Sequence, residues 1–273
     1  MEKLWPLGLI VPVQDPTPFS AFSPAEWPES LARVHREGYE AVELAITDPT
    51  KLRPSELGET LKKASLKWIA VTTGQAFWKE GLSLSSPDQK IWEKAVNRIK
   101  AHMALAEPFG AMVIVGLLRG KEGERDRFLE ALQECVGYRP RVRLALEPLN
   151  RYETSLVNTV REALEILDSV GAENLGLLFD TFHANIEEAS FSEAIAAADD
   201  RLFHVHLADS NRWIPGFGHL PFAEMWEALE AVGYQGGLVL ECLPKPHPQA
   251  LFPADEVRRR VGLGDRQGAS PAR

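Results

Sequence analysis

The amino-acid sequence predicts a single (β/α)8 barrel, on three observations. Eight short apolar runs alternate with amphipathic segments along the 273-residue chain, at about one unit per 30 residues, which is typical of βα units and a parallel sheet. Four consecutive runs have an ionisable residue at or near their C-terminal end. In a barrel those ends meet at one mouth, whereas an open doubly wound sheet gives no reason for four consecutive strands to be alike.

The predicted strands are runs rich in β-branched residues, a composition that favours strands. They are residues 7–13, 41–46, 67–72, 111–117, 142–147, 175–180, 203–208 and 237–242. The intervening segments have helical periodicity and helix-boundary residues. Thr159 and Glu162 form a capping-box pattern at the start of one helix. Pro221 suits the first turn of another, and Gly233 suits its left-handed cap.

The whole chain is assigned to one domain. Residues 1–261 are predicted to form the catalytic barrel, because no second domain and no repeat beyond the βα period is seen. The polar, glycine-containing tail at 262–273 is predicted to be disordered.

Composition excludes several classes of function. The net charge is -9 with the two signs interspersed, so no basic face is available to bind nucleic acid. No run of about 18 apolar residues predicts a membrane span, and Pro6 and Pro12 interrupt the short apolar stretch at the N-terminus. A soluble, cytoplasmic protein is expected, in which Cys135 and Cys242, the two cysteines of the chain, are reduced structural thiols.

Three carboxylates and one imidazole stand at the ends of the last four predicted strands: Glu147, Asp180, His206 and Glu241. Singly, such a carboxylate is more often a helix cap or a salt-bridge partner. Together the carboxylates would repel one another unless a cation lay between them. Oxygen ligands with one nitrogen and no thiolate suit Mn²⁺, Mg²⁺ or Co²⁺ better than a structural zinc. The sequence therefore predicts one divalent metal ion, with Mn²⁺ as first choice.

Two further ionisable residues occur within the predicted strands. His204 points to the same side as His206 but lies deeper along the strand, so we expect a core or second-shell histidine and not a ligand. Glu43, on the second strand, is either a hydrogen-bonding core residue or a wall of the site.

Four stretches of sequence point to a known family. They are EPLNRYET (147–154), LLFDTFHANIEE (177–188), HVHLADSNRWIPGFGHLPF (204–222) and LVLE (238–241). With them the chain strongly resembles the xylose-isomerase-like barrel superfamily, and within it the ketose 3-epimerases typified by D-tagatose 3-epimerase. The resemblance covers the second half closely and the first half mainly in layout.

The resemblance implies roles for individual residues. The four strand-end residues look like the metal ligands. His183 and Arg212 look like residues that hold substrate hydroxyls near the metal, and Glu153 occupies the place of a polar residue that steadies this shell. A small sugar is the implied partner, and similar epimerases are commonly dimers or tetramers, so a homo-oligomer is expected.

The implied reaction is epimerisation of a free ketose at C3. Removing the proton next to a ketone creates an enediolate, whose negative charge a divalent metal stabilises. Glu147 and Glu241 are the predicted acid/base pair, exchanging roles between the two epimers.

Other reactions remain open at this point. An aldose–ketose isomerase, a hydroxypyruvate isomerase or an inosose dehydratase needs the same enediolate chemistry. An abasic-site endonuclease shares the barrel, but its sites resemble three-metal centres with many histidines, whereas this chain has 7 histidines and net charge -9. A binding protein without catalysis has no use for two opposed carboxylates.

Overall fold

Eight parallel strands form a closed barrel in which each strand pairs with the next and β1 pairs with β8. The computed structural model describes residues 5–243 and 251–264. The strands are β1 Leu7–Pro12, β2 Ala41–Ala45, β3 Lys67–Thr72, β4 Met112–Val115, β5 Leu144–Leu146, β6 Leu175–Asp180, β7 Leu202–Leu207 and β8 Leu238–Leu240. The predicted (β/α)8 barrel is confirmed.

Helices surround the barrel. Within the described residues they are α1 Trp27–Arg36, α2 Pro54–Ala64, α3 Gly74–Glu80, α4 Gln89–Ala106, α5 Arg125–Tyr138, α6 Val160–Val170, α7 Thr181–Glu187, α8 Phe191–Ala198, α9 Phe222–Ala231 and α10 Ala254–Arg260. The Thr159/Glu162 capping box is present at α6. Gly233, after α9, has φ +66°, the left-handed conformation predicted for it.

The barrel interior is a core separate from the layer between strands and helices. One inner cluster contains Ile10, Ala45 and Val239, and a second contains Ile114 and Leu178. Side chains along a strand alternate between the two faces of the sheet. A residue two positions beyond an inward-facing side chain therefore points inward too, but nearer the mouth.

The chain after β8 returns to the N-terminal end of the barrel. In α10, Arg258 is buried and its Nη2 donates to the Trp5 carbonyl at 2.8 Å. The predicted tail, 262–273, lies outside the described residues from 265 onward.

Two smaller predictions concern the cysteines and the membrane. Cys135 and Cys242 are both free and buried. Among the described residues, no helix is both long and apolar enough to cross a bilayer.

Candidate active site

The four strand-end residues meet at the mouth of the barrel. Glu147, Asp180, His206 and Glu241 each lie two positions beyond an inward-facing residue of the same strand or its extension, and each is at most 6% exposed. One potential ligand atom from each lies within 4.8 Å of the others. These four residues are called the mouth cluster below.

His206 Nδ1 faces the three carboxylates of the mouth cluster. It lies 3.5 Å from Glu147 Oε1, 3.8 Å from Asp180 Oδ2 and 3.7 Å from Glu241 Oε2. Two atoms that each lie about 2.1 Å from one ion are at most about 4.2 Å apart, so these distances suit ligands of a shared cation.

Unpaired polar atoms support the same interpretation. Glu147 Oε1, Asp180 Oδ2 and His206 Nδ1 are buried and have no hydrogen-bond partner among the described residues. A buried polar atom without a partner is destabilising unless something binds it. The donor set therefore fits a divalent cation.

The Asp180 carboxylate serves two purposes at once. Its Oδ1 accepts from the backbone N–H groups of Phe182 at 2.7 Å and His183 at 3.1 Å, which caps α7. Its Oδ2 is left facing the mouth cluster. A lone carboxylate at a strand end is expected either to cap a helix or to belong to a metal site. At Asp180 the two roles are compatible, because its two oxygens point in different directions.

A glycine makes room for Glu147. A Cβ at Gly116, just after β4, would lie 2.6 Å from Glu147 Oε2. Any larger residue at Gly116 would displace that carboxylate, so the glycine shapes the wall of the site.

The mouth cluster combines three carboxyl groups with a single imidazole, so acidic groups are in excess. Burial raises the pKa of the Glu147 and Asp180 carboxyls. Burial opposes charge on His206 as well, but the Glu43 and Glu241 carboxylates outweigh it and raise the pKa of the imidazole well above its usual value. The cluster therefore retains protons unless another positive charge replaces them.

A cavity of about 520 Å³ opens above the mouth cluster. Its lining combines cluster residues, the predicted substrate residues and side chains from the first half of the chain. They include Ile10, Phe19, Gln75, Trp78, Lys121, Glu147, Tyr152, Glu153, His183, Arg212 and Glu241. A second depression, of about 660 Å³, is lined by residues at the opposite end of the barrel, such as Pro6, Lys67 and Gly237, and by none of the mouth cluster.

His183 is held in one tautomer by Asn150. The side-chain amide of Asn150 donates to His183 Nδ1 at 2.8 Å, and the Asn150 backbone N–H lies 3.2 Å from the same atom. Nδ1 is thus an acceptor, which leaves the proton on Nε2. Burial lowers the pKa of His183 to about 3, so the ring is a neutral hydrogen-bond donor lining the cavity.

Arg212 lies between the mouth cluster and the cavity wall. Its Nη2 donates to Glu241 Oε2 at 2.8 Å and its Nη1 to Glu153 Oε1 at 3.1 Å. The guanidinium lies 4.4 Å from the ring centroid of Phe19 and 4.6 Å from that of Phe182. Two carboxylates and two aromatic rings therefore fix its position.

The loop that presents Arg212 is held by Asp209. Its carboxylate accepts from the backbone N–H groups of Ser210 at 2.8 Å, Gly216 at 2.7 Å and Leu220 at 3.2 Å. Arg212 itself has φ +57°, a conformation that non-glycine residues rarely adopt and that surrounding structure must maintain.

Some residues that line or support the site were not singled out from the sequence. Phe19, Asn150 and Asp209 are among them. Asn150 lies in the stretch EPLNRYET and Asp209 in the stretch HVHLADSN, so the sequence motifs mark the position of these two residues but not that of Phe19. Trp78 is a further lining residue of the cavity. Trp213 packs against Phe217 with ring centroids 4.3 Å apart and an angle of 41° between the ring planes.

Comparison with known families agrees with this geometry. The family model described as xylose isomerase-like TIM barrel matches residues 31–258. The chain belongs to that family.

Several relatives of the chain are named as sugar epimerases. D-psicose 3-epimerase of Enterocloster bolteae is 32% identical over 235 residues, covering 80% of this chain and 77% of the relative. A solved L-ribulose 3-epimerase has TM-score 0.76 and 26% identity, covering 98% of this chain and 89% of the other. The prediction of an enzyme of the sugar isomerase and epimerase class is confirmed.

A third relative matches part of the chain. The 3-dehydro-D-guloside 4-epimerase of Escherichia coli is 36% identical over 125 residues, which is 45% of this chain and 48% of the relative.

Proposed function

We propose that the protein epimerises a free ketose at C3 with the help of one divalent metal ion. The observation that supports this most directly is the mouth cluster, which brings three carboxylates and an imidazole nitrogen together beside a cavity lined by Glu147 and Glu241. The similarity to D-psicose 3-epimerase supports the same reaction class. A homo-oligomer, dimer or tetramer, is part of the proposal.

The mouth cluster would hold the metal. The unpaired atoms Glu147 Oε1, Asp180 Oδ2 and His206 Nδ1 would be ligands, together with a Glu241 oxygen. Mn²⁺ is the proposed ion, with Mg²⁺ or Co²⁺ as alternatives, because oxygen ligands predominate. A bound divalent cation would stabilise negative charge that develops on the substrate oxygens during proton removal.

Glu147 and Glu241 would move the proton. Glu147 follows β5 and Glu241 follows β8, so in strand order the two glutamates flank Asp180 and His206. Both glutamates line the cavity. One carboxylate removes the proton next to the ketone, and the other returns a proton to the opposite face. The direction of epimerisation decides which glutamate acts as the base.

His183 and Arg212 would orient the sugar. The Nε2–H of His183 is a fixed donor because Asn150 occupies Nδ1. Arg212 donates hydrogen bonds to Glu241 and Glu153 and lines the cavity. It would therefore set the direction of the Glu241 carboxylate. Its guanidinium would also place a positive charge beside a substrate oxygen. Glu153 holds Arg212 from the other side.

Metal affinity is expected to fall as pH is lowered. Glu147, Asp180 and His206 have raised pKa values, so they still hold protons at pH values where ordinary groups have lost them. Metal binding must displace those protons, which weakens binding by about tenfold per pH unit for each proton displaced. Mn²⁺ titrations monitored by electron paramagnetic resonance at pH 6 and pH 8 measure this. An affinity independent of pH would contradict the proton competition.

Turnover of ketoses tests the proposed function. Purified protein with Mn²⁺ is incubated with D-fructose, D-tagatose and ribulose, and the expected product is the C3 epimer in each case that reacts. Product analysis separates an aldose–ketose isomerase, a hydroxypyruvate isomerase or an inosose dehydratase from an epimerase, when their substrates are included. No turnover of any ketose would contradict the proposal, and cleavage of an abasic DNA duplex would favour the endonuclease.

A second candidate is epimerisation at C4 of a keto-glycoside. The partial match to 3-dehydro-D-guloside 4-epimerase favours it, and the chemistry is the same because the proton removed again lies next to a ketone. A 3-keto-glycoside added to the substrate panel distinguishes the two, since its epimer differs at C4.

A further inference from the structure

Glu43 is a fully buried carboxylate that joins two histidines across the barrel interior. Its side chain is 0% exposed on β2, whereas His204 and His206 lie on β7. Glu43 Oε2 is 3.0 Å from His204 Nε2 and 3.0 Å from His206 Nε2. A residue distant in sequence thus contacts the ring nitrogen of His206 that faces away from the mouth cluster.

The chemistry of these contacts fixes where the protons lie. One oxygen, Glu43 Oε2, contacts the Nε2 atoms of both rings, which is the arrangement of a carboxylate that accepts hydrogen bonds from two N–H donors. Both histidines therefore donate from Nε2. A neutral His206 then has its lone pair on Nδ1, the atom 3.5 to 3.8 Å from the three carboxylates of the mouth cluster.

We propose that Glu43 is a positioning residue that selects the metal-binding tautomer of His206 and fixes the direction of its ring. This inference rests on the proposed metal site. Among the described residues Glu43 is not part of the cavity lining, and its carboxylate hydrogen-bonds to His204 and His206, so it acts through the imidazole. Its negative charge also makes the ring a stronger electron-pair donor.

His204 supports the arrangement from below. It is 0% exposed, and its Nε2–H donates to the same Glu43 oxygen that His206 uses. The second donor keeps the carboxylate from rotating away from His206. The shared hydrogen bonding explains why His204 lies two positions deeper on β7 than the proposed ligand His206. It also explains why β2 has an acidic side chain, Glu43, inside an otherwise apolar part of the barrel.

The variant Glu43→Gln tests the proposal by metal affinity. The amide retains the size of the side chain and one acceptor oxygen but removes the charge. We expect Mn²⁺, titrated into the full-length protein by isothermal calorimetry, to bind about 10- to 100-fold more weakly. A role limited to core packing would leave the Mn²⁺ dissociation constant unchanged once near-ultraviolet circular dichroism shows a native fold.

Glu40→Gln is the matched control. Glu40 immediately precedes β2, and its Oε2 accepts from the Leu7 N–H at 2.8 Å at the other end of the barrel. The same chemical change there should leave Mn²⁺ affinity as in the wild type. Equal affinity of Glu43→Gln and wild type would overturn the role of Glu43 alone, whereas failure of the wild type to bind Mn²⁺ would overturn the metal site itself.

A spectroscopic measurement on the wild type remains valid if Glu43→Gln does not fold. In ¹⁵N-histidine-labelled protein saturated with diamagnetic Mg²⁺, His206 should show a protonated Nε2 and an unprotonated Nδ1. The His206→Asn variant, in which that signal disappears, assigns it. A proton on Nδ1 of His206 would overturn the proposal.

Discussion

Replacing Glu241 by glutamine is expected to lower kcat for C3 epimerisation by about 10²- to 10⁴-fold, the range attributed to general acid–base catalysis. The amide cannot take up a proton, but its oxygen still offers a ligand to the metal and an acceptor to Arg212, which lies 2.8 Å from Glu241 Oε2. Substrate binding should therefore stay measurable. Activity is measured at saturating Mn²⁺ with the metal content determined in parallel.

Glu147→Gln provides the complementary test of the two-carboxylate mechanism. With only one competent carboxylate left, each variant should exchange the C3 proton of one epimer with D₂O without forming the other, and the two variants should prefer opposite epimers. Glu227→Gln, on the exposed face of α9, is the control and should keep wild-type kcat. Wild-type turnover by Glu241→Gln would remove Glu241 from the mechanism.

Removing divalent cations is expected to reduce epimerisation below detection. Two carboxylates would then face a substrate enolate with no compensating charge, in a place where burial already raises the pKa of Glu147. Dialysis against a chelator, followed by chelator-free buffer, should abolish turnover, and added Mn²⁺ should restore it. Protein dialysed against buffer alone is the control. Full turnover in protein that mass spectrometry shows to lack stoichiometric metal would contradict metal dependence.

The fold was predictable because parallel strands and their helices leave local signals in sequence. Buried strands appear as short apolar runs, and the Thr159/Glu162 capping box has the geometry that its spacing predicts. Strand ends were less accurate: β8 is Leu238–Leu240 where the apolar run suggested 237–242. Hydrogen bonding to β1 and β7 determines those ends, and pairing across a barrel is not encoded locally.

The mouth cluster was predictable for a related reason. In a barrel every strand ends at the same mouth, so residues at strand ends converge whatever their separation in sequence. The role of Glu43 was left open, because its contacts with His204 and His206 cross the barrel interior and depend on register shifts in two strand pairs.

The walls of the cavity were the least predictable part. Phe19, Trp78 and Tyr152 lie on loops or a short helix, where no periodicity indicates the direction of a side chain. Arg212 was identified from its motif, but its positive φ and its place between Phe19 and Phe182 follow from tertiary contacts.

Anomalous X-ray scattering from crystals of the Mn²⁺-loaded protein would test the proposed metal centre most directly. Data collected on both sides of the manganese absorption edge should show a single strong peak within about 2.0–2.3 Å of ligand atoms from Glu147, Asp180, His206 and Glu241. A manganese peak bound elsewhere, or none among those four side chains, would contradict the account.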